Sequence, residues 1–424
     1  MKPTLRILLI SNIILCFSLF SVVAQDAPKK NISEMSKEEI LKLSNDELLN
    51  LSIDDLIILA QKVGVSVDEL LDLSINSGDK GGFATQLEDL DVKAYVHGYA
   101  AFWYRNFDLD RQNQRNTFDL QYFNPMFGIN IKDKIIAELM LEYEHGGDEI
   151  TVRYGILDYV FSKYATLRVG KFLMPVGRYN EYLYPEHINL FPDRPLSHWN
   201  IIPIVWSEVG VQLRGNIQIN NNMSINYAGY VVNGLEQKDG GYGGPIRDMR
   251  ENVLDYNNDN KAFGGRLGFK PVSSTEMGFS YYTGAYSTDG KMDLSILCLD
   301  FEYQHKSFGI RGEFVQSVQD TLNGNIKSNG FYAESSYRLN KFFEPAIRYE
   351  QAKLPGVVGM SDINGDGITD FNNEVAKRLS LGLIIYPEPE LLSRFNFKIN
   401  YNIIPNDGQG KQRNEFVLQA AIGF

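Results

Sequence analysis

The chain has 424 residues, of which 44% are apolar and 12% aromatic, and it carries a formal net charge of −12 and two cysteines. This composition excludes a disulfide-rich scaffold, a disordered polymer and a collagen-like repeat. The acidic balance argues against broad nucleic-acid binding, so we expect no nucleic-acid partner. The length allows several soluble domains or one large single-layer structure.

Residues 1–24 are predicted to be a signal peptide. Lys2 and Arg6 precede an apolar run that ends in Val22-Val23-Ala24, a small-residue pattern typical of signal-peptide cleavage. The alternative is an uncleaved membrane anchor, because the run is about long enough to span a bilayer. After cleavage one cysteine, Cys298, remains. No later run is apolar enough to predict a membrane-spanning helix.

Residues 25–82 are predicted to form a short helical periplasmic segment and a linker. One pattern is repeated along this segment, in Ser36–Leu43, Ser44–Leu51, Ser52–Leu59 and Ser66–Leu73. In each copy Ser stands three residues before an acid, a spacing that lets the two side chains cap the start of a helix. The helices form either a module that packs against the rest of the protein or joins subunits, or a loosely attached amphipathic tail.

From about Val92 to Phe424 the apolar period changes to two, which is typical of β-strands. For example, Leu297, Leu299 and Phe301 alternate with Asp300 and Glu302. Sixteen segments follow this pattern, and each is about long enough to cross a bilayer at a tilt. They lie near 92–105, 117–131, 135–145, 150–161, 165–173, 207–217, 223–233, 262–270, 275–287, 292–304, 308–318, 328–339, 342–353, 375–386, 393–405 and 413–424.

The connections between these segments favour a membrane barrel. Even-numbered strands are followed by short turns, whereas the three longest connections, 174–206, 234–261 and 354–374, all follow odd-numbered strands. An outer-membrane barrel sorts its connections in this way, because its turns face the periplasm and its loops face the exterior. We therefore predict an all-β fold, a sixteen-stranded antiparallel transmembrane β-barrel over 83–424. A short N-terminal helical segment precedes it. The predicted location is the outer membrane of a Gram-negative cell, with its lipid bilayer as a partner.

Three motifs resemble the phosphate-selective porin O and P family. They are Leu167–Gly177, Asp193–Leu196 and Ser207–Gly215, within a similarity that covers about 85–424. The resemblance implies a sixteen-stranded outer-membrane porin that assembles as a homotrimer. It also implies passive diffusion of small ions and solutes, with anions such as phosphate among them. The last strand ends on Phe424 and resembles the signal by which the barrel-assembly machinery recognises such barrels.

The resemblance further implies that the loop after the fifth strand, 174–206, folds into the channel and narrows it. Selective anion passage needs Lys or Arg at the narrowest point, because a partly dehydrated ion must meet opposite charge at close range. The alternative is that Asp193 with Arg194, and Glu186 with Arg178, form ion pairs that only pin the loop. The predicted pore constriction consists of Lys171, Arg178, Asp193 and Arg194.

The alternation also assigns residues to the inner face of the wall. The predicted pore-lining arginines are Arg168, Arg214, Arg266, Arg311, Arg348 and Arg378. Inward acidic positions, such as Glu138 and Asp300, are about as numerous as inward basic ones. The wall therefore predicts weak ion selectivity, with any anion preference confined to the constriction.

One of the long loops has the spacing of a calcium site. Asp362, Asn364, Asp366 and Asp370 match most ligand positions of an EF-type loop, with Gly367 at the sharp turn. We predict a structural Ca²⁺ there and require no other cofactor. The alternative is an exposed turn, because Asn373 stands where a bidentate Glu is usual.

The histidines show no hydrolase arrangement, so no enzymatic activity is predicted. Export, strand pattern and resemblance together predict a porin for passive diffusion. The alternative is a non-conducting structural or adhesin-type barrel, which requires a plugged lumen.

Overall fold

The computed structural model describes residues 36, 58–59, 62, 92–107, 116–147, 149–237, 245–250, 260–353, 375–389, 394–405 and 413–424. The chain divides into two compact units, Met1–Asp91 and Val92–Phe424. In the first unit Ile58, Leu59 and Lys62 are helical, within and just after the third predicted repeat. The predicted signal peptide and most of the predicted helical segment lie outside the described residues.

The second unit is a closed antiparallel barrel of sixteen strands. Each strand pairs with its neighbours in sequence, and the first pairs with the last to close the wall. The prediction of a sixteen-stranded barrel is confirmed, and the predicted bounds differ from the observed ones by a few residues at most. The strands are β1 Val92–Phe107, β2 Thr117–Ile131, β3 Ile135–Glu144, β4 Glu149–Ser162, β5 Ala165–Leu173, β6 Ser207–Gln218, β7 Ser224–Val232, β8 Ala262–Val272, β9 Thr275–Ala285, β10 Asp293–His305, β11 Phe308–Thr321, β12 Gly324–Tyr337, β13 Phe343–Lys353, β14 Ala376–Ile385, β15 Phe395–Ile404 and β16 Arg413–Gly423.

The period-two pattern places apolar side chains on the outside of the wall and polar ones inside. Leu299 and Phe301 are 47% and 40% exposed, whereas Asp300 between them is 5% exposed. An apolar outer surface suits the hydrocarbon of a bilayer. Closure of the barrel leaves no open sheet edge, so the strands make their hydrogen bonds within the wall. Within the described residues, no helix has the length and apolar character needed to cross a membrane.

The connections are sorted as predicted. Even-numbered strands end in the turns 132–134, 163–164, 219–223, 273–274, 306–307, 338–342 and 386–394, which together form what we call the short-turn rim. In outer-membrane barrels this rim faces the periplasm. Exposed aromatic side chains, including Phe161, Tyr164, Phe342 and Phe343, lie at or beside it. Such rings suit the boundary between hydrocarbon and water.

The main apolar core lies inside the barrel and was not predicted. Residues 174–206, called loop 3 below, leave the wall where Leu173 of β5 pairs with Ser207 of β6. Loop 3 contains a π-helical turn, Tyr179–Leu183, and one short helix, α1, Ser197–Asn200. Its apolar side chains pack with inward residues of β9–β12. The buried cluster includes Met174, Val176, Tyr179, Ile201, Ile204 and Trp206 from loop 3, and Tyr282, Ile296, Cys298, Val315 and Tyr332 from the wall.

A second loop lies on loop 3. Arg247 and Arg250, which follow β7, donate hydrogen bonds to the backbone oxygens of Ile204 and Val205. The Arg247 guanidinium lies 3.4 Å from the centre of the Trp199 ring. Loop 3 is therefore held from the wall and from the loop that follows β7.

Candidate pore constriction

Loop 3 crosses the lumen and bonds to wall strands on several sides of the barrel. Three groups of contacts hold it in place. A carboxylate of β11 accepts hydrogen bonds from the loop, and an acidic residue of the loop pairs with β1 and β15. Backbone oxygens of the loop accept hydrogen bonds from a lysine and an asparagine of β15. The alternation of each strand brings these partners inward, although they are far apart in sequence. The site is built around these groups.

Glu313 of β11 is the first anchor. It is 4% exposed and accepts hydrogen bonds from the backbone nitrogens of Arg178 and Tyr179, at 3.2 and 2.7 Å. The same carboxylate lies 2.9 Å from Nε2 of His198 and 3.0 Å from the hydroxyl of Tyr332. One buried carboxylate thus joins both halves of loop 3 to the wall.

Gly177 lies against the carboxylate of Glu313, and its φ is +71°. A Cβ at this position would collide with Oε2 of Glu313 and stand 3.1 Å from Sγ of Cys298. The left-handed backbone and the close approach both require glycine here. The turn at Gly177 is therefore what lets the following amides reach the carboxylate.

Asp193 is the second anchor. Its carboxylate pairs with Arg105 of β1 and accepts a hydrogen bond of 2.6 Å from Asn402 of β15. Its backbone oxygen accepts a hydrogen bond of 2.8 Å from Arg348 of β13. Burial favours the neutral acid, but Arg105 and Arg378 outweigh it and hold the pKa of Asp193 well below its ordinary value. Asp193 is therefore a buried, charged anchor and not a free lumen charge.

The third group involves Glu186 and His187. Lys398 of β15 donates to the backbone oxygen of Glu186, and Asn396 donates to that of His187 at 3.0 Å. Burial raises the pKa of Glu186, and burial, with Lys398 and Arg394, lowers the pKa of His187 to about 4. His187 is therefore neutral at ordinary pH.

The two arginines predicted for the constriction have different surroundings. Arg178 pairs with Glu276 and, at 2.6 Å, with Glu302, and it borders a cavity in the lumen. Arg194 donates to the hydroxyl of Tyr122 and to the backbone oxygen of Ile204. Arg178 therefore faces the open part of the lumen, whereas Arg194 is bonded to the wall and to its own loop.

Lys171 lies outside the lumen, in contrast to the prediction. It pairs with Gly155 of β4 and shares a face with Val169, which pairs with Leu157, a residue 46% exposed on the outer wall. Its Nζ donates to the backbone oxygen of Val152 at 2.8 Å. The strand period gives the reason, since residues three apart lie on opposite faces and Arg168 points inward.

The predicted pore-lining arginines all point inward, and each has an acidic partner. Arg168 pairs with Asp158, Arg214 with Glu181, Arg266 with Glu276 and Asp300, Arg311 with Glu334, and both Arg348 and Arg378 with Glu350. Three of them bind loop 3, because Arg348 and Arg378 donate to the backbone oxygens of Asp193 and Arg194, and the partner of Arg214, Glu181, belongs to the loop. Ion pairs and hydrogen bonds hold the loop, as the alternative prediction stated. Its partners are wall residues, whereas the prediction had paired Asp193 with Arg194 and Glu186 with Arg178.

A cavity of about 440 Å³ lies between loop 3 and the wall. It reaches the short-turn rim at Lys163 and ends against Pro175 and Arg178 of loop 3. Charged and polar groups line it, among them Arg178, Tyr182, Arg214, Asn226, Arg266 and Lys270. This is the polar, solvent-open part of the lumen nearest to the predicted constriction.

The residues of the predicted calcium site, Asp362, Asn364, Asp366 and Asp370, lie outside the described part of the chain. Calcium binding there stays a prediction. In the part that the structure describes, no group of three or more His, Cys, Asp or Glu side chains is placed to hold a metal ion.

No family model matches the sequence. A sequence from Aquifex aeolicus (strain VF5), described as an uncharacterized protein, is 35% identical over 223 residues, which cover 50% of this chain and 49% of the relative. The chain thus matches about half the length of this relative.

Two solved structures are similar in fold. An anion-selective porin from Comamonas acidovorans has a TM-score of 0.55 at 10% identity, covering 79% of this chain and 100% of that one. The trimer form of OmpT, an outer membrane protein of Vibrio cholerae, has a TM-score of 0.52 at 11% identity, covering 78% and 99%. The fold, with its apolar outer surface, is that of Gram-negative outer-membrane barrels, and the chain belongs in the outer membrane.

Proposed function

We propose that the chain is an outer-membrane porin through which small ions and solutes diffuse along a narrow path. The polar cavity beneath loop 3 carries this proposal, because it opens at the short-turn rim and ends against a loop that narrows the lumen and lines it there mainly with polar side chains, Arg178, Glu181 and Tyr182 beside Pro175. A structural protein has no need of a solvent-open charged cavity of this kind. One structural neighbour is an anion-selective porin and the other is a trimer form, which supports the porin function and a homotrimer.

A specific observation favours a second candidate, a barrel that does not conduct. Inward wall charges such as Glu350, Arg348 and Arg378 are 0 to 2% exposed, and the apolar core of loop 3 fills the lumen beside them. A lumen filled in this way is what a structural or adhesin-type barrel requires. Both candidates share the fold and the location in the outer membrane, and they differ in whether water crosses loop 3.

Conductance of the purified, folded protein in planar lipid bilayers separates the two candidates. We expect discrete channels of small conductance, because loop 3 leaves only the region beside Arg178 open. Heat-denatured protein at the same concentration is the control for leakage. Absence of channels above that background would overturn the porin function and favour the non-conducting barrel.

We further propose a weak anion preference that depends on Arg178. Charged side chains that line the cavity leave a small excess of positive charge: they are the basic Lys163, Arg178, Arg214, Arg266 and Lys270 and the acidic Asp158, Glu181 and Glu276. Phosphate as the preferred anion, and membership of the phosphate-selective porin O and P family, rest on the motifs in the sequence.

In a KCl gradient, Arg178→Ala is expected to shift the reversal potential toward cation preference, because it removes the positive charge of loop 3 that borders the cavity. Lys171→Ala, which removes the same charge from the outer wall, is the matched control and is expected to leave the reversal potential unchanged. Equal shifts in the two variants would show that selectivity arises elsewhere.

Deletion of residues 25–82 is expected to leave the conductance of the barrel largely intact, because the helical repeats and the barrel strands differ in period and a glycine-containing linker joins them. We propose a periplasmic role for this segment, and the barrel-assembly machinery as a transient partner of the barrel. Single-channel recordings of the shortened protein test the first statement. Loss of folding or of conductance would show instead that the segment braces or fills the barrel.

A further inference from the structure

A groove lies on the outer face of β1–β5, in the half of the wall next to the short-turn rim. Its volume is about 760 Å³, and its lining is almost entirely apolar. Small outward residues create it, namely Ala94, Ala137 and Gly155, with Phe127 and Leu139 among its larger neighbours. Elsewhere the outer face exposes large side chains, such as Leu267 and Phe269 of β8.

Crowding does not explain the glycine in this groove. A Cβ at Gly155 would meet only Cδ1 of Leu139, at 3.5 Å, which is an ordinary contact. By contrast, a Cβ at Gly170 or Gly210 would collide with backbone oxygens of the neighbouring strand. Glycine inside a strand weakens it and often marks a place where another molecule approaches closely. The wall therefore tolerates a side chain at position 155 that would fill the groove, and the sequence has none.

The rim below the groove is basic. Lys132 and Lys134 lie in the turn after β2 and are exposed. Lys93, the second residue of β1, and Lys163, in the turn after β4 at the mouth of the lumen cavity, are also exposed. The acid among them, Asp133, is hydrogen-bonded to Asn130 at 2.8 Å. The next two turns, 219–223 and 273–274, carry no charged residue. The rim beneath the groove therefore carries a net positive charge, and the two turns that follow it carry none.

We propose that this surface binds one anionic glycerophospholipid of the periplasmic leaflet. An acyl chain lies in the groove, and the headgroup phosphate meets Lys132 and Lys134 at the rim. Apolar groove and basic rim match the two ends of such a lipid, and each lysine near an anionic headgroup strengthens binding by about fivefold. The site is independent of whether the lumen conducts.

The charge of the rim favours a lipid over a second copy of the chain. Barrels inserted in one membrane share an orientation, so their short-turn rims meet at the same height. In the described part of this rim, basic residues also outnumber acidic ones on the other side of the barrel. They are Lys306, Arg338, Lys341 and Arg394, and the acidic residue there is Glu388. Two such rims repel each other where these faces meet, whereas an anionic lipid is attracted to the face, so we assign the groove to a lipid and not to the contact surface of the proposed homotrimer.

Native mass spectrometry of the folded protein in a non-ionic detergent tests this proposal. Phosphatidylglycerol and phosphatidylcholine with identical acyl chains are the probes. We expect one phosphatidylglycerol per barrel, bound more tightly than phosphatidylcholine. The double variant Lys132→Gln, Lys134→Gln is expected to weaken phosphatidylglycerol binding about 25-fold. Lys306→Gln with Lys341→Gln removes the same charge from the far side of the rim and is the matched control.

A second pair of variants tests the groove. Gly155→Val is expected to weaken both lipids, whereas Gly229→Val, on the outer face of β7 with nothing within 4 Å of a Cβ, is expected to weaken neither. Equal binding of the two lipids by the wild type, or equal effects of the two lysine pairs, would overturn the proposal. So would a Gly155→Val protein that changes its number of copies per particle while its lipid binding stays the same, because the groove would then hold a second copy.

Discussion

Replacing Glu313 by alanine is expected to make Cys298 reactive toward maleimide while the barrel stays folded. Cys298 is completely buried, and its Sγ lies 3.5 Å from Oε2 of Glu313, beneath loop 3. Loss of the carboxylate leaves the amides of Arg178 and Tyr179 and the imidazole of His198 without their acceptor. Removing one partner of a buried charged contact costs about 3–5 kcal/mol, so labelling through the open state is expected to accelerate about 100-fold or more.

The measurement is the rate of labelling of the mature protein, in which Cys298 is the single cysteine if residues 1–24 are removed. Glu344→Ala is the matched control, because Glu344 is also an inward carboxylate but bonds to Ser336 and Tyr386. Gly177→Val tests the same anchor while retaining Glu313. Slow labelling in both Glu313→Ala and Gly177→Val, with barrels shown to be folded by their heat-modifiable migration, would contradict the assignment of Glu313 as an anchor.

Replacing Asp193 by alanine is expected to release the middle of loop 3. The change removes the Asp193 partner of Arg105, which keeps Glu415 at 3.2 Å, and it removes the 2.6 Å acceptor of Asn402. Because Asp193 is 8% exposed, the loss is expected to lie in the range of about 3–5 kcal/mol that applies to buried charged pairs. Hydrogen exchange of peptides covering 186–206, followed by mass spectrometry, is expected to accelerate, whereas peptides of β3 are expected to stay protected.

The pH dependence of the wild type follows from the lowered pKa of Asp193. A group whose pKa is lower in the folded protein stabilises it above the unfolded pKa of about 3.9, and this contribution is lost as the pH falls through the folded value. Between pH 7 and pH 5 Asp193 stays charged. The protection of residues 186–206 against exchange, corrected for intrinsic rates, is therefore expected to change little on its account.

Asp133→Ala, which removes an exposed acid from the rim, is the control for Asp193→Ala. Equal exchange in Asp193→Ala and Asp133→Ala would show that the Asp193 pair does not hold the loop.

The wall of the barrel could be predicted from sequence because its determinants are local. Strict alternation in β10 and β15 fixes which residues face the bilayer, and the turns between strands limit the register. The same alternation, counted from the inward Arg168, places Lys171 on the outer face. The sequence therefore already argued against Lys171 as a residue of the constriction. The bounds of β12 differ most from the prediction, because Gly324-Asn325 at its start reads as a turn.

The interior of the barrel could not be predicted in the same way. Asp193 meets residues that are 88 and 209 positions away, and only the strand register decides that Arg105 and Asn402 are its partners. One signal in the sequence did point to a filled lumen. Ile296 and Cys298 put apolar side chains on the inner face of β10, where a water-filled channel has no use for them.

The contacts of loop 3 set an order of events for assembly. Loop 3 is made after β5, but its anchors include Arg105 of β1, Lys398 of β15 and Gln419 of β16. Those side chains come together only when β16 has paired with β1 and the ring of strands is complete. Docking of the loop therefore finishes after closure of the wall. A late assembly intermediate consequently has all its strands paired and a lumen wider than that of the mature protein.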